Sequence, residues 1–175
     1  MQHLSRVLIA LSIKEDYARH PSDPPATDLH AKNLHTYLSK VMYKRRTDMN
    51  PLWNVILIAG LDGHDAPFLA SVDLLGTTFE APTLATGFGA ALAQPLWRRR
   101  VPDEEAVKGL GREEAVELVK ECMKVLFYRD ARSMDRYSIA VVTKEGGVEM
   151  KEDEKLEGQS WAFAEGIKGY GTQTN

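Results

Sequence analysis

Asp130 and Ser133 stand three residues apart in Tyr128-Arg129-Asp130-Ala131-Arg132-Ser133, an acid and a hydroxyl at the end of a helical pattern. At that spacing the two side chains can orient each other, although residue types alone favour a plain helix-terminating turn. Gly87-Phe88-Gly89 lies between a strand-like stretch and an alanine-rich helix. That is the local layout of a dinucleotide-binding turn, in which a helix N-terminus holds a pyrophosphate. Leu92 occupies the position of the third glycine, Asp103 and Glu104 come early for a ribose acid, and no parallel βαβ unit surrounds the motif. A tight turn is the better account.

The five histidines, His3, His20, His30, His35 and His64, show no His-Glu-x-x-His spacing and no cysteine companions, so they read as solvated side chains without a metal. No Gly-x-Ser-x-Gly elbow is present, and Cys122 falls on the apolar face of the strongest helix, the place of an inert core thiol. Lys44-Arg45-Arg46 and Arg98-Arg99-Arg100 each end a predicted helix and lack interleaved aromatics. Solvated helix ends or subunit contacts fit them better than a nucleic-acid groove. The acidic residues 149–157, with Lys151 and Lys155 among them, read as a charged surface hairpin.

Bulk properties narrow the classes further. A chain of 175 residues with 43% hydrophobic and 27% charged residues has the makings of one packed domain. Its 22 basic and 25 acidic side chains leave a formal charge of -3, so no global field draws it to nucleic acid or to an anionic membrane. One cysteine excludes a disulfide framework and a multi-thiolate zinc site, and fits a reducing compartment. No run approaches the ~20 apolar residues of a membrane span. Met1-Gln2-His3 leads into a helical pattern without the features of a secretory leader, so an intracellular, soluble protein is expected.

The elements that would hold these residues follow from periodicity. Leu4, Val7, Leu8 and Leu11 predict a helix that frays near Tyr17, before the loop of Pro21, Pro24 and Pro25. A second helix is expected from an N-cap at Thr27, with Asp28 in its first turn and the stripe Leu34, Tyr37, Leu38, Val41 and Met42. Residues 53–59 form a nearly continuous apolar run, as in a strand buried on both faces. With Asp62-Gly63 as a turn, residues 68–73, 77–81 and 83–86 complete a four-stranded antiparallel meander. A helix over 90–100, kinked at Pro95, and a strong helix over 112–128 come next. A hairpin of 138–143 and 148–151 turns at Glu145-Gly146-Gly147, and an acidic loop and a short helix over 161–167 close the chain. This order predicts an α+β fold. Its opening helix pair has no preceding strand to pack on.

Four stretches carry a family resemblance: Met49-Asn50-Pro51-Leu52-Trp53-Asn54, Glu80-Ala81-Pro82-Thr83-Leu84-Ala85-Thr86-Gly87, Ala93-Gln94-Pro95-Leu96, and Tyr128 to Ser133. In register and over residues 2–169, they closely resemble the beta subunits of the eukaryotic proteasome, in particular the beta type-4 class at the beta-7 position of the 20S core particle. The resemblance implies an N-terminal-nucleophile hydrolase fold, a four-layer αββα sandwich lacking the first four strands. In the family those strands supply the N-terminal threonine and the aspartate and lysine that activate it. Residues 1–175 would then be a single, incomplete beta-type domain, truncated or a reduced paralogue.

Active members carry serine where Phe88 stands and glycine where Met134 stands, so Asp130 and Ser133 match supporting positions while Phe88 and Met134 depart from them. Type-4 subunits are noncatalytic within the particle. The resemblance thus implies no catalytic residue, no cofactor and no metal. It implies a structural role beside other alpha and beta subunits in a hetero-oligomeric stacked-ring particle that degrades ubiquitin-tagged proteins in cytoplasm and nucleus, with no nucleic-acid or membrane partner. Arg98, Arg99, Arg100 and Trp161 are the candidate interface residues. An independent amidohydrolase of the same fold would need a processed N-terminal nucleophile, which Met1-Gln2 does not provide. A nucleotide-binding module at residues 87–92 is the third reading.

Overall fold

The computed structural model describes residues 30–165. The predicted helix over 4–17, Thr27, Asp28, His3, His20 and the end of the helix expected over 161–167 lie outside the described residues. The chain divides into two compact units, residues 1–81 and 82–175.

In the first unit, helix α1 (Ala31–Thr47) is preceded by an extended cap residue, His30, with the Asn33 side-chain oxygen accepting from the His30 N–H at 3.2 Å. Its last turn carries Lys44, Arg45 and Arg46, whose charges suit the negative end of the helix dipole. Buried His35, Leu38 and Met42 recur at i, i+3 and i+7, the stripe that makes this segment helical. That stripe packs on an antiparallel sheet of strands β1 (Ile56–Leu61), β2 (Pro67–Val72) and β3 (Thr78–Glu80), in the order β1-β2-β3. Leu38, Met42, Ile56, Ile58, Phe68, Ala70 and Val72 form the core.

Two expectations need correction here. His35 is not solvated: its position on the stripe buries it, with Nε2 3.3 Å from the Ser71 carbonyl oxygen and its ring edge-on to Phe68. A carbonyl only accepts, so Nε2 carries the proton in that bond. Strand β1 is not buried on both faces, because α1 covers one face and the alternate residues Val55, Leu57 and Ala59 are exposed.

The two hairpin loops share one design. Asp62 Oδ1 accepts from the N–H groups of His64 (2.8 Å) and Ala66 (2.9 Å), and Asp73 Oδ1 accepts from Leu75 (2.8 Å) and Thr77 (2.9 Å). Those backbone bonds hold the Asp62 carboxyl below the ordinary aspartate range. The fourth residue of each loop is left-handed, Asp65 at φ 61° and Gly76 at φ 81°. Ser39 Oγ donates to the Gly76 carbonyl at 2.9 Å, which fastens α1 to the second loop.

In the second unit the fourth strand of the meander is absent: residues 83–86 are irregular. Pro82 removes one ladder donor, and the Gln94 amide donates to the Thr83 carbonyl at 2.8 Å and to its hydroxyl at 3.1 Å, taking the place of a neighbouring strand. The expected kinked helix is two short ones, α2 (Phe88–Leu92) and α3 (Gln94–Arg100), with Pro95 in the first turn of α3 where its missing N–H costs nothing. Helix α4 (Glu104–Lys108), unforeseen, is capped by Asp103, which accepts from the Ala106 N–H at 2.9 Å.

Helix α5 (Arg112–Arg129) packs on α2 and buries Cys122. Strands β4 (Arg136–Thr143) and β5 (Gly147–Lys155) form the second hairpin. Strand β5 takes in residues expected to be an acidic loop. Between the pairs Tyr137↔Glu154 and Ile139↔Lys151 it gains one residue, a bulge, and Asp153 there has φ 57°. A 3₁₀ turn, Ala162–Ala164, follows. Helices and antiparallel sheets occupy separate stretches, which is an α+β composition. No helix among the described residues is long and apolar enough to cross a membrane.

Candidate functional site

The turn after α5 brings Asp130 and Ser133 together. Asp130 leaves helical geometry at φ -109°, ψ 108° while its N–H still bonds the Leu126 carbonyl at 2.9 Å. Its Oδ1 accepts from the Arg132 N–H at 2.9 Å. Ser133 Oγ, half-buried, donates toward the backbone carbonyls of Asp130 (2.6 Å) and Phe127 (3.2 Å). The acid and the hydroxyl therefore do not orient each other: each satisfies backbone groups that the helix end leaves open. A serine activated for attack would instead have its proton aimed at a base. Asp130→Ala removes the acceptor of the Arg132 N–H and should cost on the order of 1 kcal/mol. Faster hydrogen exchange at residues 130–133 checks this, and unchanged exchange would mean that the carboxylate contributes nothing.

Phe88 and Met134 are both exposed. Gly87 has φ 61° and ψ -140° with open space where a side chain would project, and buried Gly89 would place a Cβ 3.2 Å from that of Ala85. A five-residue helix after an irregular stretch does not build the strand-to-helix turn that a pyrophosphate needs, so the nucleotide reading loses its geometry. Cys122 is buried, and desolvation pushes its thiol up, toward the unreactive neutral form. No group of His, Cys, Asp and Glu among the described residues is arranged to hold a metal.

Arg98, Arg99 and Arg100 are exposed at the end of α3. Trp161 belongs to a cluster that sequence reasoning did not assemble, with Tyr128 edge-on at 5.1 Å and Phe127 and Phe163 at 6.2 and 5.8 Å. The Tyr128 hydroxyl fixes the approach of this segment, donating to the Ser160 carbonyl at 3.0 Å and accepting from the Ser160 N–H at 2.6 Å. Adjacent aromatics at 127–128 and alternate ones at 161 and 163 were the available signal.

A family model described as proteasome subunit matches residues 9–142, and the chain belongs to that family. Beta-type members resemble it over nearly its whole length. It is 43% identical to proteasome subunit beta type-7 of Saccharomyces cerevisiae over 99% of the chain and 65% of that protein. It is 44% identical to the probable proteasome subunit beta type-7 of Schizosaccharomyces pombe over 99% of the chain and 63% of that protein. Against proteasome subunit beta type-4 of Xenopus laevis the identity is 45%, over 97% of the chain and 65% of the relative. The chain thus spans just under two thirds of the length of these relatives. The family read from the four sequence stretches is the one these comparisons return.

Proposed function

We propose that the chain serves as a noncatalytic, structural beta subunit of a 20S proteasome core, assembled with other alpha and beta subunits in a stacked-ring particle. In that particle sister subunits cleave ubiquitin-tagged proteins in cytoplasm and nucleus. The observation that carries the reading is the similarity to beta-type subunits across almost all of the chain. The bonds of Ser133 support the noncatalytic part, since its hydroxyl is directed to carbonyls of its own turn. A four-layer sandwich is the fold this reading expects, and the apolar outer face of the β1–β3 sheet is what such layering covers.

A tagged copy recovered from its native source should elute at several times its 19.6 kDa together with other proteasome subunits. Recovery as a free monomer would sink the proposal. In the same preparation Ser133→Ala should leave peptidase activity unchanged, and a loss of activity would make Ser133 catalytic. Reversing Arg98, Arg99 and Arg100 to Glu should cut incorporation several-fold, because like charges at a contact repel. Normal incorporation would return these arginines to open solvent.

A further inference from the structure

Hairpin β4–β5 meets helix α5 across a gap. A cavity of about 430 Å³ lies between them, walled by half-buried Val116 on the helix and Tyr137, Ile139 and Val141 on β4, and rimmed by charged side chains of α5 and β5. Apolar groups that face a void have fewer partner atoms than groups in a closed core, so they hold the hairpin weakly.

Charge spans the gap instead. The guanidinium of Arg112, the first residue of α5, engages both carboxylate oxygens of Glu149 on β5, with Nη1 3.3 Å from Oε1 and Nη2 closer still to Oε2. Arg112 draws the Glu149 carboxyl below the ordinary glutamate range, and Glu149 in turn raises the Arg112 guanidinium. Gly146, in the hairpin turn, is part of the same arrangement. A Cβ there would lie 2.8 Å from Glu149 Oε1 and 2.9 Å from Thr143 Oγ1, so a side chain at 146 would push on the carboxylate that faces Arg112.

The opposite end of the hairpin is tied strand to strand and joins α5 through the turn at residues 130–135. Arg136 pairs with Asp153 at 2.5 Å, and the N–H of buried Leu156 donates to the Asp135 carbonyl at 2.7 Å. A base joined to α5 by a short turn, a cavity in the middle and a two-pronged ion pair near the tip make a hinged flap.

We propose that Arg112 and Glu149 form an electrostatic clasp that keeps the β4–β5 hairpin closed over α5, and that as salt screens the pair the tip lifts and its outer rungs, Val141↔Glu149 to Thr143↔Gly147, fray, uncovering the apolar wall of the cavity. Between 0.1 and 1 M salt the screening length falls from about 10 to about 3 Å. An exposed pair shifts an equilibrium only modestly, so deuterium uptake at residues 141–149 should rise about threefold over that range. Exchange in the β1–β2 hairpin should stay constant.

The test is hydrogen–deuterium exchange on the full chain in the form recovered from its native source. Glu149→Gln should give fast uptake already at 0.1 M salt and abolish the salt response. The charge swap Arg112→Glu with Glu149→Arg should restore slow, salt-sensitive uptake. Salt-independent uptake in the unsubstituted chain would overturn the proposal, as would a hairpin unprotected at 0.1 M salt. A charge swap that leaves β1–β2 protected but does not restore the hairpin would overturn it as well.

Discussion

Separated from any partner, the 175-residue chain should bind a hydrophobic dye strongly and self-associate at micromolar concentration. The cause is the sheet face that α1 leaves uncovered. Val55, Leu57 and Phe79 are 45%, 38% and 59% exposed, and the register sets Leu57 opposite Ser71 and Ser71 opposite Phe79, in one row across three strands. At ~25 cal/mol per Å², about 300 Å² of apolar surface left in water forgoes about 7 kcal/mol, comparable to the whole stability of many domains. Among the described residues no strand lies beyond β1, and such an edge beside apolar side chains is a template for pairing with a second chain. Leu57→Ser combined with Phe79→Ser should reduce dye binding several-fold. A sharp, cooperative melt of monomeric chain with dispersed amide signals would show instead that the face is closed in solution.

Gly76→Ala should be more damaging than Gly87→Ala, although both glycines have positive φ, +81° and +61°. Left-handed geometry alone costs a residue with a Cβ about 1–2 kcal/mol. At Gly87 nothing beyond the chain neighbours lies within 4 Å of the added carbon, so the loss is that of the backbone alone, about 1–3 kcal/mol at a φ and ψ outside the left-handed helical region. At Gly76 the carbon would sit 2.9 Å from the Ser39 carbonyl oxygen and 2.9 Å from the Tyr43 Cβ, on a helix that cannot retreat without opening the core. A loss of more than about 3 kcal/mol is expected there, together with the hydrogen bond from Ser39 to the Gly76 carbonyl. Urea midpoints for the loss of amide protection, read in α1 for Gly76→Ala and in α2 for Gly87→Ala, give the ranking. Equal midpoint shifts would mean that α1 yields to the loop.

The stripe of α1 could be read from Leu34, Leu38 and Met42, since one helical face met one core. The burial of His35 could not, because periodicity reports a face and not the carbonyl of Ser71 waiting across it. An unbroken apolar run like 53–59 looks the same whether a strand is covered on one face or on two. Residues 83–86 have strand-like threonines, but the Gln94 side chain, eleven residues on, takes up the Thr83 carbonyl. Helix α4 carried its cap at Asp103, its acids at Glu104 and Glu105 and its base at Lys108. Five residues are too few to show a period.

At the Asp130 turn the residue types announced a helix end, whereas the choice of a backbone carbonyl over the carboxylate as the acceptor for Ser133 depends on angles that composition does not encode. Arg112 and Glu149 are 37 positions apart among many other charges, so nothing in the sequence singled them out.

The sulfur atoms are sorted by depth. Met42 and Cys122 are 1% and 2% exposed, while Met49 and Met134 are 90% and 77% exposed. Among the described sulfurs peroxide would therefore reach Met49 and Met134 first, and a sulfoxide at either position adds polarity where water already stands. Oxidising Met42 would insert that polarity into the core under α1, and Cys122 would have to shed its cover and ionise before reacting. Mild oxidation should mark this chain long before it unfolds it, with the outer methionines consuming oxidant ahead of the two buried sulfurs.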